Sequence, residues 1–411
     1  MRLRKYDATR DRAPVQRIWR EAGWLQRDEE QEEALDGFIE AGFAMVGEVG
    51  GAAESVSVTA RGTLRYLSDD LPMCALSAVT TSPVARQQGM ASRLVAACLA
   101  SEAASGAVVA VLGMFDQGYY DRLGFGTGGY EHLVRFHPAW LTVEDGPRSA
   151  ERVTKDDWKE AHCARLCRQR AHGGLNLTPP AITRAEMVWT KRPLGMGYRD
   201  GPGGTLSHYI WCSAENLEHG PYHVRWMTYR DRKEFRELMA LVKALGDQIG
   251  LVSVLEPPSM QLQDLLDRPF MQRRISQGSA FSAGIRAFAP WQVRIRDLQG
   301  CLQHTHVIGG PIRFNLVLED PVEAYLEQDA LWRGVAGNYV VTLDSTSYSE
   351  PGMDPSLPTM RATVNAFTRL WLGVRCATGL SYTDVLVAPR NLLAQLDTAL
   401  RLPDPKPDWE V

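Results

Sequence analysis

Between Val79 and Ala91 the chain changes its conformational preference within one short stretch, and this change restricts the fold more than any other feature. Strand-forming Val79-Thr80-Thr81 runs into Ser82-Pro83, and beyond Val84-Ala85-Arg86-Gln87-Gln88 a helix opens at Gly89-Met90-Ala91. A strand that feeds a helix through a short loop is the unit of an α/β layer. The loop N–H groups and the free donors of the first helical turn converge on one point, a cradle suited to a pyrophosphate. Gly89 allows close backbone approach, Ala91 keeps the next turn narrow, and Arg86 adds positive charge. The same residues also fit a plainer description, a Ser-Pro turn followed by an ordinary helix start, so the surroundings have to decide.

Those surroundings alternate. A strand over 3–6 precedes a helix over 13–22, where Val15, Ile18 and Trp19 fall at helical spacing. The acidic run from Asp28 to Glu33 leads into a second helical piece reaching Ile39. Strands are expected over 43–49, 53–67 and 74–80, the first two joined at Gly50-Gly51, then a helix over 89–101 and a buried strand over 107–112. Asp145-Gly-Pro-Arg reads as a boundary. Beyond it, 153–170 reads as a helix whose early Asp156 and Asp157 and later arginines suit the helix dipole. The Pro/Gly-rich pieces over 173–180 and 195–204 read as loops.

A strand over 222–229, a helix over 232–249 and a strand over 251–255 repeat the layout of the first block without its sequence. A third block opens at Trp291, Val293, Ile295 and Leu298, with strands over 312–318 and 338–343 and helices over 362–372 and 391–400. The prolines after Leu402 keep the remaining chain extended. At about 150 residues per domain, 411 residues imply two or three cores. The expected class is α/β (α+β), in blocks over 1–145, 146–288 and 289–411.

Composition narrows the function. A net charge of −4 lacks the basic surplus of a general nucleic-acid binder. The N-terminal residues carry no apolar signal region, and no stretch reaches the ~18 apolar residues of a membrane span, so no membrane association is expected. Seven cysteines without C-x-x-C spacing suit reduced thiols in a cytoplasm. His162, Cys163 and Cys167 are close enough in sequence for a zinc site, but no metal is expected there. Gly124-Phe-Gly-Thr-Gly-Gly129 looks like a dinucleotide fingerprint, yet it opens no helix and starts no βαβ unit.

A second element gives the first its meaning. Gln117-Gly-Tyr-Tyr-Asp-Arg-Leu-Gly-Phe-Gly126 contains the pattern Y-x-x-x-G-F at Tyr120–Phe125. Together with Arg86-Gln-Gln-Gly-Met-Ala91 it resembles the acetyl-CoA loop and tyrosine signature of the GNAT acetyltransferases, in the right order. The layout of the whole chain resembles the enhanced-intracellular-survival family of aminoglycoside N-acetyltransferases. In that family an active GNAT domain, a second GNAT-like domain without a cofactor loop and a sterol-carrier-like domain follow one another. Trp291 to Leu298 and Leu370-Trp-Leu-Gly373 add to the likeness.

The resemblance implies direct transfer from acetyl-CoA to an amine of a small polycationic acceptor. Cofactor contacts are expected from Val79, Thr80, Thr81, Arg86, Gln87, Gln88, Gly89, Met90, Ala91 and Phe115, the last standing where the family commonly has serine. Tyr120 is the expected general acid for the thiolate. The C-terminal carboxylate, on Val411 here, is the expected base, although the family often ends in an aromatic residue. A backbone N–H at the end of the 79–81 strand would polarise the thioester carbonyl. Trp24, Asp28, Phe38 and Glu410 are the candidate acceptor-binding residues, aromatic walls and carboxylates that suit cations. The same residues also fit core aromatics and a solvated acidic face. A homo-oligomer, a hexamer by the resemblance, is expected. A protein lysine or polyamine acceptor, or a lipid carrier on a GNAT scaffold, are the alternatives.

Overall fold

The computed structural model describes residues 2–114, 116, 118–144, 146, 148–267 and 277–410. Two compact units emerge, and they do not follow chain order. The first comprises Met1–Gly129, His172–Pro179 and Ala289–Val411, and the second comprises Tyr130–Ala171 and Pro180–Phe288.

The first unit begins β1 (Arg2–Lys5), α1 (Ala8–Glu21), α2 (Glu29–Ala41), β2 (Phe43–Val49), β3 (Ala52–Tyr66) and β4 (Asp69–Thr81). It continues with α3 (Met90–Ala103), β5 (Val109–Gly113) and β6 (Gly126–Thr127). Each early helix starts where the sequence offers a cap: Asp7 accepts from Thr9 N and Asp28 from Gln31 N. Val15, Ile18, Leu35 and Ile39 face the core at helical spacing. The sheet runs β1-β2-β3-β4-β5, then the late strand Trp291–Ile295, then β6. Only the β4–β5 neighbours in it are parallel. Trp291–Ile295 is buried throughout and is an interior strand of this sheet.

The second unit holds a seven-stranded sheet whose single parallel pair is Tyr222–Thr228 with Val252–Leu255. The helix Arg232–Ala244 covers it through Leu238, Met239 and Val242, against Val134, Phe136 and Val252. The first unit also holds a five-stranded sheet in which Ile312–Glu319 and Thr359–Thr363 are parallel, followed at once by the helix Val364–Trp371.

Two stretches expected as loops contain strands. Leu175–Leu177 pairs with β3 at Gly62–Leu64, where a Cβ on Gly62 would come within 1.9 Å of Asn176 O. Pro193–Tyr198 is a strand of the second sheet, and its Gly195 and Gly197 press on Trp211 and Tyr209. Gly195 and Gly197, which suggested a loop, are there for close packing. The helix expected over 153–170 is only Trp158–Cys167, because Thr154 and Asp157 form a capping box just ahead of it. Asp145 and Pro147, of the expected boundary, lie outside the described residues.

Candidate active site

β4 reaches the site through a bulge. Its register against β3 shifts between Val56 and Val58, and Ala78 adopts φ 55°. This left-handed conformation costs an alanine roughly 1–2 kcal/mol. On the other side, β4 pairs with β5 only from Met73↔Val109 to Leu76↔Leu112. Residues 77–81 therefore have no strand beside them there among the described residues. Parallel strands whose carboxyl ends part in this way open a slot walled by free backbone groups. Ser55 Oγ fixes the strand end, donating to Thr80 O at 3.0 Å and meeting Thr81 Oγ1 at 2.7 Å.

The loop beyond is built to leave its donors unspent. After a single turn at Pro83–Ala85, Arg86 is extended and donates from Nε to Thr81 O at 3.3 Å. Gln87 (φ 62°) and Gly89 (φ 72°) are left-handed, a backbone pattern that gathers successive N–H groups in a concavity. α3 then starts with no capping side chain and no acid in its first turn. Neither its cap nor its first turn neutralises its positive end. A Cβ on Gly89 would meet nothing within 4 Å, so glycine serves its φ there and not a tight contact. Met90 is buried, while Arg86, Gln87 and Gln88 are exposed.

Tyr120 opens a short turn, Asp121–Leu123, that ends at left-handed Gly124. Its carbonyl accepts from Leu123 N at 2.9 Å and Phe125 N at 3.3 Å. The ring is 3% exposed and lies edge-to-face with Tyr119 at 4.9 Å and Phe125 at 6.2 Å. Burial, helped by the nearby Asp116 carboxylate, pushes the phenol well above its ordinary pKa. It therefore stays protonated at neutral pH and can give a proton. The two sequence motifs are brought together by a contact the sequence did not reveal: Tyr119 OH meets Ser92 Oγ, in the first turn of α3, at 3.2 Å. Ala78 gives no sequence signal of its bulge, since alanine shows no preference for positive φ, and Tyr119 stands in the signature only as the neighbour of Tyr120.

The other candidates are spread more widely. Trp24 is 47% exposed and lies edge-to-face with Trp19 at 5.5 Å. Asp28 is engaged as the cap of α2, and Phe38 is buried in the core beside Ile39. Glu410 is exposed, next to buried Trp409. Phe115 and Val411 lie outside the described residues.

The second unit has the same strand-to-helix passage but a closed helix start. Asp231 accepts from Glu234 N at 3.0 Å, and the Glu234 carboxylate accepts from Arg230 N at 2.6 Å. Two carboxylates occupy the place a phosphate would need. In this unit the ligand atoms of Asp200, His208 and Glu237 also lie within 4.8 Å of one another. The Arg148 guanidinium pairs with both carboxylates, so the chain supplies that cluster's cation itself. His162 is bonded to Thr183, and Cys163 and Cys167 are exposed.

Comparison with known proteins agrees with the geometry. Residues 8–128 match the acetyltransferase (GNAT) domain family. By that match the chain is an acyl-CoA-dependent acetyltransferase with a mixed α/β fold. Similar solved structures span nearly the whole chain. A probable N-acyltransferase of Enterococcus faecalis V583 has a TM-score of 0.76 at 18% identity, covering 98% of this chain and 97% of its own. A GCN5-related N-acetyltransferase of Anabaena variabilis gives 0.76 at 16% identity, with both chains covered in full. Eis1 of Mycobacterium abscessus gives 0.73 at 15%, again with both covered in full. No curated protein matches the sequence. Among the described residues no helix is long and apolar enough to cross a membrane.

Proposed function

We propose that the chain moves an acetyl group from acetyl-CoA to an amine of a small polycationic acceptor, aminoglycosides included, by direct attack. The observation that carries this reading is the uncapped start of α3 linked through Ser92 and Tyr119 to a buried, protonated Tyr120. The residues fit the co-substrate's charge: Arg86, the left-handed Gln87 and Gly89 and the first turn of α3 would hold its pyrophosphate. Backbone groups of residues 77–81, unpaired toward β5, would bind the pantetheine arm and polarise the thioester carbonyl. Tyr120 would protonate the departing thiolate as the carbon–sulfur bond breaks. The amine's proton passes in this proposal to the carboxylate expected at Val411. The third block's sterol-carrier likeness and a cytoplasmic homo-hexamer belong to the same proposal.

Thiol release from acetyl-CoA, followed across aminoglycosides, polyamines and lysine peptides, tests it. Tyr120→Phe should lower kcat by about 10²–10⁴-fold, and a chain lengthened beyond Val411 should also slow. Thiol release independent of any amine, or an unchanged rate in Tyr120→Phe, would sink the mechanism. Selective turnover of lysine peptides would move the acceptor to protein.

A further inference from the structure

The Tyr120 turn is held from a part of the chain far away in sequence. Asn365, in the first turn of the helix Val364–Trp371, donates from Nδ2 to two carbonyls, Asp121 O at 2.9 Å and Phe125 O at 2.8 Å. One amide thus ties both ends of the turn that Tyr120 begins. Gln292, buried in the late strand of the first sheet, donates from Nε2 to Asp121 Oδ1 at 2.7 Å. The contact is close enough to exclude side chains. A Cβ on Gly126 would lie 2.5 Å from Asn365 O, and one on Gly124 would lie 2.7 Å from Val364 Cγ1. These two glycines are small so that this helix can press on the turn.

Tyr120 itself lacks any such restraint at its business end. Its hydroxyl has no hydrogen-bond partner among the described residues, so packing in the apolar core, the ring contacts and the backbone fix its aim. A phenol that must meet a departing sulfur needs its direction set by the turn beneath it, and small displacements of a reacting group cost rate steeply. We infer that Asn365, assisted by Gln292, is a positioning residue that aims the Tyr120 hydroxyl during transfer. This rests on the assignment of Tyr120 as the acid.

The test is a double-mutant cycle on the full chain, with kcat, KM for acetyl-CoA and the unfolding midpoint measured for each variant. Asn365→Ala should lower kcat about tenfold with KM changed less than about twofold. Asp121→Ala, at an exposed position, removes the Gln292 contact and should lower kcat by a few-fold, the unfolding midpoint showing that the chain still folds. In a Tyr120→Phe background both losses should shrink below about twofold, because there is no proton left to aim. Losses that multiply unchanged in that background, or an unaltered kcat in Asp121→Ala and Asn365→Ala, overturn the inference. A Tyr120→Phe chain as fast as the parent instead overturns the acid assignment, a separate failure. Should Asn365→Ala not fold, the Asp121→Ala cycle decides alone.

Discussion

Replacing Asp320 by asparagine should unfold the first unit early, because it strands a positive charge in the interior. Arg294 and Asp320 are both 0% exposed, and Nη2 lies 2.6 Å from Oδ2. The guanidinium also donates through Nη1 to Leu123 O, and burial pulls its pKa down from the ordinary arginine value. At an effective dielectric of about 20, opposite charges ~4 Å apart attract by about 4 kcal/mol. Removing one member of a buried pair typically costs about 3–5 kcal/mol. Asparagine keeps the side-chain size and an acceptor for Val322 N, now 3.1 Å from Oδ1, so the loss of charge dominates. We therefore expect about 3–4 kcal/mol from Asp320→Asn. Alanine should cost more, because Val322 N would lose its acceptor as well. Adding Arg294→Met to Asp320→Asn removes the stranded charge and should recover about half of the loss. Urea unfolding followed by tryptophan fluorescence measures all three. A shift below about 1 kcal/mol for Asp320→Asn, or a double variant no more stable than the single, would refute the reasoning.

Three further outcomes are expected. Gly89→Ala meets no steric obstacle but must hold φ 72°, at a cost of about 1–2 kcal/mol; a relaxed loop should raise KM for acetyl-CoA with kcat little changed in steady-state assays. His172 accepts from Leu67 N at 3.1 Å through Nδ1, donates from Nε2 to Leu372 O at 3.0 Å, and is held neutral by burial, which lowers its pKa. The unfolded chain then takes up a proton, near pH 6.5, that the folded chain refuses. Stability should be full above that pH and fall as pH drops below it, and urea midpoints at pH 7.5 and 5.5 should differ less in His172→Gln. Asp231→Ala should cost the second unit about 1 kcal/mol through its lost helix cap, read by chemical denaturation.

Local features were the legible ones. The strands Phe43–Val49 and Ile312–Glu319 announced themselves by composition and bounding turns, and Gly89 marked the start of α3 to within a residue. The bulge at Ala78 was invisible, because it arises from a register shift against β3, a partner far away in sequence, and alanine shows no preference for that conformation. Leu175–Leu177 and Pro193–Tyr198 were hidden by glycines and prolines whose packing role appears only when the neighbouring strand is in place. Around the proposed site, Tyr120 could be singled out in the sequence because its motif is contiguous. Asn365, Arg294 and Asp320 bear on the same turn from more than 170 residues away, beyond the reach of any local pattern. Phe38 fitted both a pocket wall and the core on sequence alone, and it is buried.

The place of Trp291–Ile295 has a consequence for how the protein is made. It separates β5 from β6 in the first sheet, yet it follows β5 by roughly 180 residues. At about 5–20 residues per second, a ribosome needs roughly 10–35 s to supply it. Until then one side of Val109–Gly113 has no partner, and its valines and leucine, buried in the finished sheet, lie open to other nascent chains. A fragment released before residue 295 would keep that adhesive edge permanently. The acetyltransferase domain is thus completed only when translation is well past it, and chaperones that cover strands during that interval should govern its yield.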